Sequence, residues 1–399
     1  MSATPRSARA YRIEAIDVVR GVVIVVMALD HVRDYFMAGS QQDPMTDPHV
    51  GVALFATRWI THFCAPVFVL LAGTGAGLMA GRRTPAALGA FLFSRGLWLI
   101  AVEWFVIATA WTFAPLGLAQ LGGRILVPLQ VIWAIGASMI ALAGAQFLGR
   151  RACLLIGLAI VLGHNLLDAW WPASGIRDLR PLWVALHAQM SIPIGPFLVA
   201  FAYPLLPWIG VMLLGYGLAE WFQRPPGERD RLLRRAAIAL VLAFVALRAL
   251  DAYGDPRHWS VHAGDPAATA MAFLNTTKYP PSLMFLLMTL GPAALLASCA
   301  DRLKGAVKDT LVVFGRVPFA FYVAHLYLIH GLSLLLGTVQ GVEASRLLTI
   351  SGLYPKDGYG LPLAGVLVVW VLVVALLYPF CRWMAELKAR RNNWWLSYL

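Results

Sequence analysis

The stretch IEAIDVVRGVVIVVMALDHVRDYF, residues 13–36, decides the fold. It is long enough to cross a bilayer, which takes about 20 mostly apolar residues. Yet it carries Asp17, Arg20, Asp30, His31, Arg33 and Asp34. A charge at mid-membrane costs roughly 2.5–3.5 kcal/mol on insertion scales. Spans therefore avoid charges unless these face protein or a wet cavity. Asp17, Arg20, Ile24, Met27, His31 and Asp34 follow one another in steps of three and four, so they form one seam on a helix. That seam reads as one wall of a buried polar site.

The rest of the chain agrees. Of 399 residues, 60% are hydrophobic and only 13% charged, and the mean hydropathy is +0.70. Soluble domains carry about 25% charged residues, so a polytopic membrane protein is expected. The net charge of +12 sits in short loops between apolar runs, and no nucleic-acid-binding motif accompanies it, so a nucleic-acid partner is not expected. Cys64, Cys153, Cys299 and Cys381 are single, without CxxC or metal spacing, and read as small buried hydrophobes. Residues 1–14 read as a basic leader without a cleavage pattern, residues 15–386 as one membrane domain and 387–399 as a tail.

Ten spans are predicted: 15–37, 62–80, 90–112, 125–148, 152–171, 194–221, 233–252, 281–299, 311–336 and 362–385. The loops alternate in charge. One side holds 19 Lys and Arg and the other 8. The richer side should be cytoplasmic, with both termini on it. The longer outer loops suit a lid or vestibule. No internal repeat is visible, which weakens a transporter built from inverted halves.

Several polar residues could carry chemistry. Asp30-His31 falls in the outer half of span one; an adjacent carboxylate can orient an imidazole as a general base, or His31 can use another carboxylate. Neighbours in sequence point about 100° apart on a helix, so Asp30 can pair with Arg33 instead, in a structural ion network. His62 opens span two, on a face with Arg58 and Trp59. The run Ala72-Gly73-Thr74-Gly75-Ala76-Gly77 suits close helix packing, or room for a slender acyl arm. Arg95 and Glu103 lie in span three, and Gln130, one turn from Pro128, could donate to a carbonyl. Lys278 and Tyr279 precede a Pro-Pro that pins them over the outer surface. In span nine, Arg316, Val323 and His330 share a heptad face, with His325 nearly opposite. No metal is expected, because the zinc spacings are missing.

The opening Ile16-Asp17-Val18-Val19-Arg20-Gly21, the Asp30-His31 pair, Thr61-His62-Phe63-Cys64-Ala65-Pro66, Lys278-Tyr279-Pro280-Pro281-Ser282 and the Arg316–His330 span resemble the heparan-α-glucosaminide N-acetyltransferase catalytic-domain-like family. These are bacterial relatives of the lysosomal enzyme among transmembrane acyltransferases. The resemblance implies an enzyme of the bacterial inner membrane that passes an acetyl group from cytoplasmic acetyl-CoA to an amine or hydroxyl of a sugar outside. The lysosomal enzyme uses a histidine between spans one and two. His49 stands in the corresponding loop here, in a different surrounding pattern. Asp30 replaces an asparagine of that enzyme, and His62 an aspartate.

The expected site therefore has His31, Asp30, His62, His325, His330 and Asp34 for catalysis. Arg20, Arg95, Arg316 and Gln130 would hold acyl-CoA, and Arg58, Trp59, Lys278 and Tyr279 the sugar or glycan. A histidine would deprotonate the acceptor directly, or carry the acyl group covalently. Membrane lipid surrounds the fold, and small-residue faces are compatible with a homodimer. The rivals are a transporter or flippase using the seam as a proton relay, and a non-catalytic membrane partner.

Overall fold

A computed structural model describes residues 13–39, 43–45, 47, 50–170, 181–355, 357–391, 393, 396 and 398. His49 and nearly all of the leader lie outside the described residues. The fold is an all-α polytopic bundle with one small sheet.

Helix α1 (Glu14–Phe36) runs through the middle and is buried along most of its length. It is followed by α2 (Val52–Thr61), α3 (Cys64–Ala80) and α4 (Pro85–Val102). A π-helical turn, Glu103–Ile107, joins α4 to α5 (Ala108–Thr112). Then come α6 (Val131–Ala145), α7 (Arg150–Gly163), α8 (Pro181–His187), α9 (Leu205–Gly217) and α10 (Ala219–Gln223). The last part holds α11 (Pro226–Leu250), α12 (Pro266–Leu274), α13 (Leu283–Cys299), α14 (Gly305–Arg316), α15 (Pro318–Val339) and α16 (Leu363–Arg390).

Among the described residues, eight helical stretches are long and apolar enough to cross a membrane: Val52–Ala80, Pro85–Thr112, Val131–Leu148, Arg150–Ala169, Leu205–Gln223, Leu283–Arg302, Pro318–Val339 and Leu363–Arg390. The other two expected spans are α1 and α11. Both have spanning length, 23 and 25 residues, but carry more charge.

Three expectations need correction. Span two begins at Val52 rather than 62, because α2 leads into α3 through His62 and Phe63. Spans four and six do not begin at 125 and 194. Those segments form strands β1 (Ile125–Leu129), β2 (Met190–Ile194) and β3 (Phe197–Phe201). The order is β1-β3-β2, with β1 parallel to β3 (Ile125 opposite Phe197) and β2 antiparallel (Met190 opposite Phe201). Pro128 and Pro193 thus sit on the two edge strands, where a missing N–H is tolerated. Span nine is not continuous. Val317 leaves helical geometry (φ −132°, ψ 46°) and Pro318 starts α15, since a proline disfavours helical geometry in the residue before it. Arg316 therefore belongs to α14, and the expected heptad face of Arg316, Val323 and His330 does not form.

Glycine sets how close the central helices come. A Cβ on Gly21 would stand 2.0 Å from the Leu311 carbonyl oxygen, and one on Gly315 1.8 Å from that of Asp17. Helices α1 and α14 thus meet backbone to backbone, as small residues allow where lipid supplies no hydrophobic drive. Gly315→Ala should force them apart and cost about 1–3 kcal/mol, the usual range for overpacking. Thermal unfolding in detergent would show it, and an unchanged midpoint would refute this close approach.

Candidate functional site

Two cavities approach α1 from opposite ends. The first, of about 320 Å³, is lined on α1 by Arg20, Ile24 and Met27, three residues of the seam. Arg95 and Leu99 of α4 line it too, with Arg316, Tyr322 of α15 and Lys388 of α16. Arg20, Arg95 and Arg316 are thereby brought together as expected. Lys388, in the last turn of α16, is a cavity residue that the sequence does not single out. Arg20 Nη2 donates to the Leu71 carbonyl at 3.2 Å. Arg316 Nε is buried without a hydrogen-bond partner among the described residues. The Ala72–Gly77 run serves both readings. Gly73 and Gly77 press on α9 and α10, while Ala72, Gly75 and Ala76 line the cavity.

The apolar end of this cavity is closed one turn further along three helices. Met27 is followed by His31, Leu99 by Glu103, and Tyr322 by His325. The His31 and His325 rings are 5.2 Å apart, and Trp111 stands edge-on to His31 at 4.9 Å. His325 is fully buried. Its Nδ1 donates to the Tyr322 carbonyl, which leaves the lone pair on Nε2, and Nε2 has no partner among the described residues. His31 Nδ1 likewise has no hydrogen-bond partner; the nearest carboxylate oxygen is Asp34 Oδ2, at 3.9 Å. Asp34, not Asp30, is thus the better placed to orient His31.

The second cavity, also about 320 Å³, is polar. Arg33, Asp34, Asp43, Asp47, Arg58 and Ser351 are among the residues that line it. Met27 faces the first cavity and Asp34 the second, and His31 lies between them on the same face of α1.

Asp30 is the hub of an ion network. It accepts from Arg33, from Arg58 Nη1 at 2.8 and 2.7 Å, and from Thr61 Oγ1 at 2.7 Å. Arg58 also grips Asp43 through Nε and Nη2, at 3.1 and 3.0 Å. Asp30 and Asp34 each place an oxygen within 4.8 Å of a His31 nitrogen, a spacing that could hold a cation. Arg33 bonds both carboxylates and Arg58 bonds Asp30, so guanidinium charge already fills that role.

Burial works to raise the Asp43 carboxyl, and the Arg58 guanidinium outweighs it, bringing the group from 3.8 to about 2. A carboxyl depressed by folding contributes stability above its unfolded value and loses it as pH falls towards its folded one. Wild type should therefore unfold at a higher temperature than Asp43→Asn at pH 6, with the gap closing between roughly pH 4 and pH 2. A gap independent of pH would refute the pairing.

Of the remaining candidates, His62 and Lys278 belong with this network, and Lys278 is buried rather than pinned over the outer surface. His62 Nδ1 donates to the Arg58 carbonyl at 2.6 Å, and its ring meets Phe285, so it buttresses the network. Trp59 donates to Met288 Sδ at 3.2 Å. Lys278 lies over the Tyr279 ring at 5.1 Å, in a turn held by Asp255, which accepts from Thr277 and Ser282. Gln130 precedes α6 without a side-chain capping bond, and the next two residues, Val131 and Ile132, line the first cavity. His330 lies between the carbonyls of Ala110 and Leu347, at 3.0 Å each, and stacks on Phe113. It ties the outer loop down, and His325 is the span-nine histidine that meets His31.

Fold and site together define a polytopic membrane protein with a charged cavity, a polar cavity and histidines between them. A family model described as "Heparan-alpha-glucosaminide N-acetyltransferase, catalytic" matches residues 12–254, and the chain belongs to that family. Membership implies a transmembrane acetyltransferase-like role. A search of the curated proteins returned no match.

Proposed function

We propose that this protein moves an acetyl or short acyl group from acyl-CoA, held in the first cavity, to an amine or hydroxyl of a sugar in the second. The observation that carries this reading is the position of His31 between the two cavities. The excess of Lys and Arg in the loops near the first cavity favours its opening to the cytoplasm of a bacterial inner membrane. Arg20, Arg95, Arg316 and Lys388 supply cationic donors suited to the phosphates of CoA. Arg20 and His31 are eleven residues apart, roughly 16 Å along the helix, a distance that the extended pantetheine arm suits. The apolar lining beyond the arginines fits that arm.

In the transfer, the acceptor attacks the thioester carbonyl and His31 takes its proton. Asp34 stabilises the imidazolium across 3.9 Å. Thiolate leaves as the amide or ester forms. A direct transfer needs both ligands at once, and His31 lies on α1 between Met27, which lines one cavity, and Asp34, which lines the other. Gln130, next to the cavity residues Val131 and Ile132, is the candidate oxyanion donor. The test is sided turnover: protein in sealed vesicles, acetyl-CoA on one face and glucosamine as acceptor probe on the other. N-acetylglucosamine should form on the face opposite the donor. Acceptor movement without CoA would instead establish the flippase.

A further inference from the structure

The site described so far has a base but nothing to receive the leaving thiolate. A thiolate released in an apolar interior is costly unless it gains a proton or a cation, and the arginines lie at the other end of the cavity. One group the proposed mechanism has not used stands there. Glu103 is fully buried, and no cation pairs with it among the described residues. Its Oε2 accepts from the Trp133 N–H in the first turn of α6 at 2.9 Å. Its Oε1 is buried with no hydrogen-bond partner among the described residues.

Glu103 also opens the π-helical turn Glu103–Ile107, an insertion of the kind that often marks a functional position. Tyr327 caps this turn by donating to the Val106 carbonyl at 2.9 Å. Tyr322 lines the cavity on α15, the helix whose Tyr327 holds this turn, and its hydroxyl is buried without a hydrogen-bond partner among the described residues. The Tyr322 ring is 5.4 Å from His325, which is 5.2 Å from His31.

We propose that Tyr322 and Glu103 form the general acid of this site, Tyr322 protonating the departing CoA sulfur and Glu103 resupplying Tyr322. The proposal rests on the acyl-transfer reading. In the balanced step the acceptor nitrogen or oxygen bonds the acetyl carbon and its proton goes to His31. The C–S bond breaks, the sulfur takes the Tyr322 proton, and Glu103 replaces it. The resulting carboxylate is stabilised by the N-terminus of α6 through Trp133 N–H. The proton on His31 then returns to Glu103 by way of His325 and Tyr322, and CoA leaves as the thiol. Tyr322 is the catalytic residue here, and Glu103 acts through it.

The experiment compares two donors on the full-length protein in vesicles, with glucosamine as acceptor probe. Acetyl-CoA releases a weakly acidic thiol, whereas S-acetyl-4-nitrothiophenol releases one acidic enough to depart as the thiolate. With acetyl-CoA, Glu103→Gln and Tyr322→Phe should each lower kcat by roughly 10²-fold or more, the usual size of a general-acid contribution. With the nitrothiophenyl donor they should stay within about threefold of wild type, since that step needs no acid. Acetyl-CoA affinity, measured by calorimetry, should be unchanged, which also shows that the variants fold. Glu103→Asp should recover part of the loss. Equal losses with both donors, or no loss with acetyl-CoA, would overturn the acid assignment alone. A wild-type protein that neither binds acetyl-CoA nor turns over would overturn the acyltransferase reading, and this assignment with it.

Discussion

His31→Ala should lower acetyl transfer by roughly 10²–10⁴-fold, the usual weight of a positioned general base, while acetyl-CoA still binds. His31 stands beyond Met27, outside the lining of the donor cavity, so its loss leaves the arginine end intact. None of the other three candidate histidines can replace it from where it stands. His325 is fully buried beside it, His330 is tied to two carbonyls, and His62 is bonded to the Arg58 carbonyl. His62→Ala should therefore lower stability more than rate. Steady-state kinetics should show the His31 effect in kcat with KM for acetyl-CoA little changed. If His31→Ala keeps wild-type kcat and His325→Ala loses it, the base is the inner histidine.

Asp30→Ala should be the most destabilising single change in the polar interior. It leaves Arg33, which is fully buried, and Arg58 with only their outer carboxylates, Asp34 and Asp43. Removing one partner from a buried ion network costs about 3–5 kcal/mol, because the remaining charge stays desolvated. Thr61 Oγ1 also loses its acceptor. Asp30→Asn should cost less, since it keeps an acceptor oxygen for one guanidinium. The check is the unfolding midpoint in detergent together with folded yield from membranes. A normal midpoint with lost turnover would instead make Asp30 catalytic, as its place beside His31 suggests from sequence alone.

Much of this was readable in the chain. The seam from Asp17 to Asp34 follows from helical spacing, and the cost of burying charge says that it must face protein. Arg20, Arg95 and Arg316 could be placed near one membrane face by counting residues along spans. Span nine reads as continuous because a proline near a span's start is tolerated in a helix, and only the non-helical backbone of Val317 shows that the chain breaks there. The strands at 125–129 and 190–201 were hidden because short apolar runs look alike as helix or strand. Glu103 looked like one more polar residue in a span. Its meaning comes from three-dimensional company: a helix start, an unpaired oxygen and Tyr322. Asp30 drew attention by adjacency to His31, while the carboxylate facing the second cavity beside His31 is one turn on, at Asp34.

The most direct test of the central claim is a calorimetric titration of the detergent-purified protein with acetyl-CoA, with dephospho-CoA as control. The same titration follows for Arg20→Ala, Arg95→Ala and Arg316→Ala. The cavity predicts saturable binding to wild type that each arginine change weakens, with dephospho-CoA binding less tightly. No heat at millimolar acetyl-CoA, or binding indifferent to all three changes, would contradict a donor site in this cavity.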